Sequence, residues 1–114
     1  MVNFTEKRKN RRYPSIAKVQ IPKAFTGEAL LKDISVTGCR IECTMHVDIL
    51  ENSEYSVTIF PEDTAKIDSF DLLAECKWIH SGSDSCNIGF FVKKSPGKKD
   101  FERYVDYLSW RSNT

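Results

Sequence analysis

Long apolar runs are missing from this 114-residue chain. No stretch approaches the roughly 20 residues that a helix needs to cross a bilayer. The basic N-terminus leads into polar residues and not into the apolar h-region of a secretory signal, so the expectation is a cytoplasmic protein with no membrane insertion. A disulfide framework is also missing: without a secretory leader, the four cysteines Cys39, Cys43, Cys76 and Cys86 read as reduced, small, buried side chains. Histidine is scarce, and its two copies, His46 and His80, are isolated. The nearest ligand spacing, Cys43 to His46, has no second pair to complete a zinc site, so no metal is expected. No Gly-rich loop is present to cradle phosphate and no nucleophile sits beside an evident base, which argues against an enzyme. Internal repeats and low-complexity segments are absent as well.

What the chain does contain is an uneven distribution of charge. Residues 1–23 carry seven Lys or Arg against the single acidic Glu6, a net of +6 that leaves −5 for the rest of the chain. Five of the six residues from Lys7 to Arg12 are basic, and such a cluster attracts an anion. Residues 1–12 hold too few apolar side chains to offset the entropy of ordering them, and are expected to form a mobile basic arm. Tyr13-Pro14 closes that arm, because proline biases its predecessor towards extended backbone.

Residues 13–114 read as one domain. Ala17, Val19 and Ile21 alternate with polar neighbours as a first strand, and Gly27 to Lys32 begins a second. Cys39 to Thr44, Tyr55 to Ile59, about Phe70 to His80, and Cys86 to Val92 supply four more. In the fifth strand Leu72, Ala74, Cys76 and Trp78 are expected on one face, and Ser81-Gly82-Ser83-Asp84 is a hairpin turn. Six short strands separated by turn signals predict an antiparallel barrel or sandwich. After Ser95-Pro96-Gly97 the period changes: Phe101, Tyr104, Val105 and Leu108 form the stripe of an amphipathic helix over about 98–111. Tyr107 and Trp110 lie off that stripe and are candidates for a second contact.

Two stretches carry chemistry. In Asp33-Ile34-Ser35-Val36-Thr37-Gly38, Asp33 and Ser35 are two apart and in extended backbone share a side, while Ile34 and Val36 turn towards the core. Gly38 permits either a positive φ or a close backbone approach. In the arm, Arg8 and Arg12 are four apart and reach one ligand whether the segment is helical or extended. Their planar guanidinium groups suit phosphate, or the O6/N7 edge of guanine. A carboxylate such as Asp33 complements the opposite guanine edge, where N1 and N2 are donors. The implied ligand contains both guanine and phosphate.

An Arg-x-x-x-Arg arm (Arg8 to Arg12), a strand, then Asp-x-Ser-x-x-Gly (Asp33, Ser35, Gly38) before another strand resembles the PilZ domain family, from about Lys7 to Trp110. The resemblance implies a six-stranded antiparallel β-barrel with a C-terminal α-helix that binds cyclic di-GMP, with no other cofactor. It implies that Arg8 and Arg12 clamp phosphates and guanine while Asp33, Ser35 and Gly38 line the guanine site. Arg11 is placed to add a phosphate contact or a stacking surface. No output segment is apparent in the sequence, so the expectation is a receptor that passes the signal to a protein partner, in motility, biofilm or virulence control. Two alternatives compete. One is a small nucleic-acid-binding barrel with stacking aromatics such as Tyr13 or Phe91, disfavoured by the net acidic body. The other is a ligand-independent adaptor using the helix and Trp110.

Overall fold

A computed structural model describes residues 11–44 and 46–112. The alternating runs fold as β1 (Tyr13–Pro14), β2 (Lys18–Gln20), β3 (Ala29–Ile34), β4 (Gly38–Cys43), β5 (Glu54–Phe60), β6 (Phe70–Ser81) and β7 (Cys86–Val92). A 3₁₀ turn at Asp63–Ala65 and the helix α1, Lys98–Ser112, complete the described elements. Strand β2 pairs with β3, β3 with β4, β4 with β7, β7 with β6, β6 with β5, and β5 returns to β2, every pair antiparallel. The ring is a closed six-stranded barrel. Closure leaves these six strands without an unpaired sheet edge.

Strand β1 lies on β3 beyond the end of β2. Pro14 faces Asp33 and Lys18 faces Leu30, four steps along one strand against three along the other. Backbone bonds from Ser15 N to Lys32 O (3.0 Å) and from Leu31 N to Ala17 O (2.9 Å) carry the ladder across that mismatch. β1 and β2 are thus one interrupted strand, which anchors the root of the N-terminal arm on β3.

The inward face of every strand is apolar, and the thiols of Cys39, Cys43, Cys76 and Cys86 are buried among Leu31, Ile41, Val57, Leu72 and Ile88. Each large aliphatic side chain so buried contributes roughly 1.5–3 kcal/mol. The helix stripe falls where the period placed it: Phe101, Tyr104, Val105 and Leu108 are at most 1% exposed, against β1 and β6. Polar bonds fix the helix to the root of the arm. Tyr104 OH donates to Glu62 Oε1 at 2.5 Å and receives Ser15 Oγ–H at 2.8 Å. Arg111 donates to Glu62 Oε2 at 2.5 Å and to the Pro14 carbonyl at 3.1 Å. Of the two off-stripe aromatics, Tyr107 is partly buried and bonds Thr64 Oγ1 at 2.9 Å, while Trp110 is 64% exposed.

Two β-bulges break the inside-outside alternation. One lies between Leu31 and Asp33, the other between Cys76 and Trp78. Each turns two consecutive residues outward, Lys32 with Asp33 and Lys77 with Trp78. A strict two-residue period places Trp78 in the core with Leu72, Ala74 and Cys76, and the structure corrects this: the extra residue at Lys77 shifts the phase and puts the indole on the outer surface.

Candidate functional site

The two bulges serve one surface. Across the ladders Asp33 pairs with Arg40, Arg40 with Gly89, and Gly89 with Trp78. These four residues form a single transverse row over β3, β4, β7 and β6. Neighbouring strands stand about 4.8 Å apart, so the row spans on the order of 15 Å. Gly89 is the gap in it. A Cβ there would lie 2.1 Å from Trp78 Nε1 and 2.2 Å from Cε2, so the indole lies against bare backbone. The His80 ring lies near the indole at a tilt of 36°, ring centroids 4.9 Å apart.

Beside the row is a groove of about 380 Å³, lined among others by Arg12, Thr37, Gly38, Arg40, Lys77, Trp78 and Phe91. It combines three cations with two aromatic rings, the pairing of groups that holds phosphates and bases together. Lys77 lies over the Phe91 ring with its ammonium 5.9 Å from the centroid, and it also bonds Glu75. Asp33 is the carboxylate at the rim. Arg12 Nε donates to its Oδ1 at 2.5 Å and Arg40 Nε to its Oδ2 at 2.8 Å.

The residues singled out from sequence fall into four groups. Arg12 and Asp33 are brought together, 21 positions apart in the chain, at the edge of the groove. Ser35 and Gly38 build the turn that leads into it. β3 ends at Ile34, so the two-residue period stops there, and Ser35 is only 2% exposed and not on the outer side with Asp33. Its backbone N donates to Gly38 O at 2.8 Å, and its hydroxyl accepts a long contact from Thr37 N at 3.4 Å. Gly38 lines the groove with a negative φ; its requirement is close approach, because a Cβ would sit 2.2 Å from the Phe90 carbonyl oxygen. Arg11 turns towards Tyr13, its guanidinium carbon 5.4 Å from the ring centroid. Arg8 lies outside the described residues.

Three groove residues went unassigned in the sequence. Arg40 reads there merely as an outward residue of β4, and Trp78 as core. Lys77 carries no signal at all. The phase shift was nonetheless visible: apolar residues stand at Ala29 and Leu31, then at Ile34 and not at position 33.

Nucleophilic chemistry finds no support at this place. Cys39 lies at the groove floor, but burial pushes its thiol up to about 12, against the opposing pull of Arg12. A second cavity, slightly larger at about 400 Å³, lies at the far end of β4 and β7, by Cys43, His46 and the Ser81 to Cys86 turn. Among the described residues no lysine or arginine lines it, so the smaller groove is the better seat for a polyanion. Among the described residues no cluster of three or more His, Cys, Asp or Glu is arranged to hold a metal ion, and no helix is long and apolar enough to cross a membrane.

Comparison with curated proteins finds no match. Among solved structures, the chain is similar to the inhibitor of motility MotI/DgrA of Bacillus subtilis, with a TM-score of 0.67 and 16% sequence identity. The match covers 89% of this chain and 48% of that one, so the chain spans about half the length of this neighbour. At that identity the likeness is one of fold. The PilZ domain family model matches residues 6–107, which takes in the arginine arm, the Asp33 to Gly38 turn and most of the helix. With the closed barrel, its C-terminal helix and a match over that span, the chain belongs to the PilZ domain family.

Proposed function

We propose that the protein is a cytoplasmic cyclic di-GMP receptor whose groove takes one guanine on Trp78 and Asp33 and the phosphates on the arginine arm. The observation that carries this reading is the convergence of Arg12 on Asp33 at the end of the Asp33-Arg40-Gly89-Trp78 row, beside a groove lined by cations and aromatic rings. The carboxylate suits the N1 and N2 donors of guanine, the indole supplies a stacking surface, and Arg12 and Lys77 supply positive charge for a dianion. Arg8 joins Arg12 from the arm.

Signal transfer follows from the same placement. Ligand draws residues 1–12 against the barrel, and the arm becomes part of a surface that a protein partner reads. Ordering the arm costs part of the contact energy, which the charged ligand offsets through several charge-assisted bonds. The likeness to an inhibitor of motility makes motility the first setting to test, ahead of biofilm or virulence control.

Calorimetric titration of the wild-type chain with cyclic di-GMP tests the reading. Saturable binding at micromolar ligand is expected, and Arg8→Ala, Arg12→Ala and Asp33→Ala should each weaken it by about tenfold or more, as loss of a charge-assisted bond requires. Absence of binding at tens of micromolar ligand, on the order of the weak range, overturns it.

A further inference from the structure

Asp33 is gripped from two directions, and the two arginines are not equivalent. Arg12 precedes β1, its side chain is 47% exposed, and it belongs to the arm that meets the ligand. Arg40 sits inside β4, laddered to Asp33 on one side and to Gly89 on the other, so its backbone is fixed by two neighbouring strands. The side chains are similarly exposed, 47% and 39%, so the difference lies in the backbone that carries each.

Building on the cyclic di-GMP reading, we propose that Arg40 is the positioning residue of the base site: it keeps the Asp33 carboxylate aimed and compensated through Oδ2 when Arg12 leaves Oδ1 for the ligand. Guanine presents N1–H and N2–H₂ side by side, and needs both oxygens of one carboxylate in a fixed plane. Each oxygen has two acceptor sites, so Oδ2 accepts from Arg40 Nε and still has one site for the base. A carboxylate that lost both arginines would be a half-buried charge without a partner and free to rotate, both unfavourable for recognition. The bulge at Lys32 sets Asp33 directly opposite Arg40, and this is what makes the 2.8 Å bond possible. Base selectivity therefore depends on Arg40, and overall affinity depends on Arg12. Adenine offers an acceptor at N1 and meets the carboxylate unfavourably, while hypoxanthine offers N1–H alone.

The experiment is a titration of the full chain with cyclic di-GMP, cyclic di-IMP and cyclic di-AMP, for wild type, Arg40→Ala, Arg40→Lys and Arg12→Ala. Thermal melts select the variants that fold, and Arg40→Lys serves if Arg40→Ala does not. Wild type is expected to prefer the guanine ligand. Arg40→Ala should lose about tenfold or more of its affinity for cyclic di-GMP and much less for the other two, so that the selectivity ratio collapses. Arg40→Lys keeps the charge without the Nε geometry and should recover part of the ratio. Arg12→Ala should weaken all three ligands by a similar factor. An unchanged ratio in both Arg40 variants, or an equal loss for every ligand, overturns the proposal, the second outcome identifying Arg40 as a phosphate contact. Failure of the wild type to bind any of the three overturns the receptor reading itself.

Discussion

Gly89→Ala isolates the stacking surface without touching any group proposed to bond the ligand. The new Cβ would fall 2.1 Å from Trp78 Nε1 and 2.7 Å from Cζ2, far inside van der Waals contact, so the indole must leave its seat. It has somewhere to go, because Trp78 lies on the outer surface and is only partly buried. The cost in stability is therefore that of a local overpacking that relaxes outward, about 1–3 kcal/mol at most. The cost in binding is larger. A base stacked on an aromatic side chain contributes roughly 1–3 kcal/mol, so cyclic di-GMP affinity should fall by about 5- to 150-fold. The fluorescence of Trp78 reports the displacement directly once the exposed Trp110 is replaced by Phe. In a Trp78→Ala background the added methyl has nothing to displace, and Gly89→Ala should then be nearly neutral for binding. Wild-type affinity in the Gly89→Ala variant would refute the stacking role. An equal loss in both backgrounds would show that the substitution acts through β7 and not through the indole.

Tyr104→Phe removes the hydroxyl that joins Ser15 to Glu62, and urea unfolding should show a loss of about 1–3 kcal/mol, the usual consequence of leaving buried partners unsatisfied. Gly38→Ala drives a Cβ to 2.2 Å from the Phe90 carbonyl, a backbone atom that cannot swing aside, so the melting temperature should drop and binding should fall with it. Alkaline pH should destabilise the fold. The Cys39 thiol is raised from an unfolded value of 9.0 to about 12, so its stabilising effect is intact below pH 9 and is lost as pH climbs towards 12. The slope is about 1.4 kcal/mol per pH unit for this thiol, and Cys39→Ala should flatten the stability profile between pH 9 and 11. Cys43 and Cys76, each raised by burial to about 11, add to the slope in the same range.

Period and punctuation made most of the barrel legible in advance. Strand runs separated by turns gave six staves, and the 101, 104, 105, 108 spacing gave the helix. Where reading failed, the cause was local geometry that a fixed period cannot express. Trp78 is apolar and in phase with Cys76, and only the bulge at Lys77 brings it outside. Ser35 is polar and in phase with Asp33, yet the strand ends between them and the turn buries it. Arg40 gave no signal because its bond is to a neighbour seven residues away, placed opposite it by the bulge in β3.

Those same departures explain how a closed barrel presents the proposed binding surface. In a regular strand an outward residue alternates with a core residue, and two polar outward groups on adjacent strands are fixed only by the ladder. A bulge re-aims one side chain while the strand on either side of it stays paired. Here one bulge aims Asp33 and another aims Trp78, with Arg40 and the gap at Gly89 between them, all on strands laddered on both sides. In the proposed site that half is formed before any ligand arrives and would cost little to use. Arg12 is followed directly by Tyr13-Pro14, whose Pro14 carbonyl is held by Arg111 and whose neighbour Ser15 is held by Tyr104. Any ligand pull on Arg12 therefore acts one residue from a strand bonded to the helix that carries Trp110. A double-mutant cycle between Arg12→Ala and Tyr104→Phe, read as cyclic di-GMP affinity, should give a coupling clearly different from zero, and strict additivity would separate the arm from the helix.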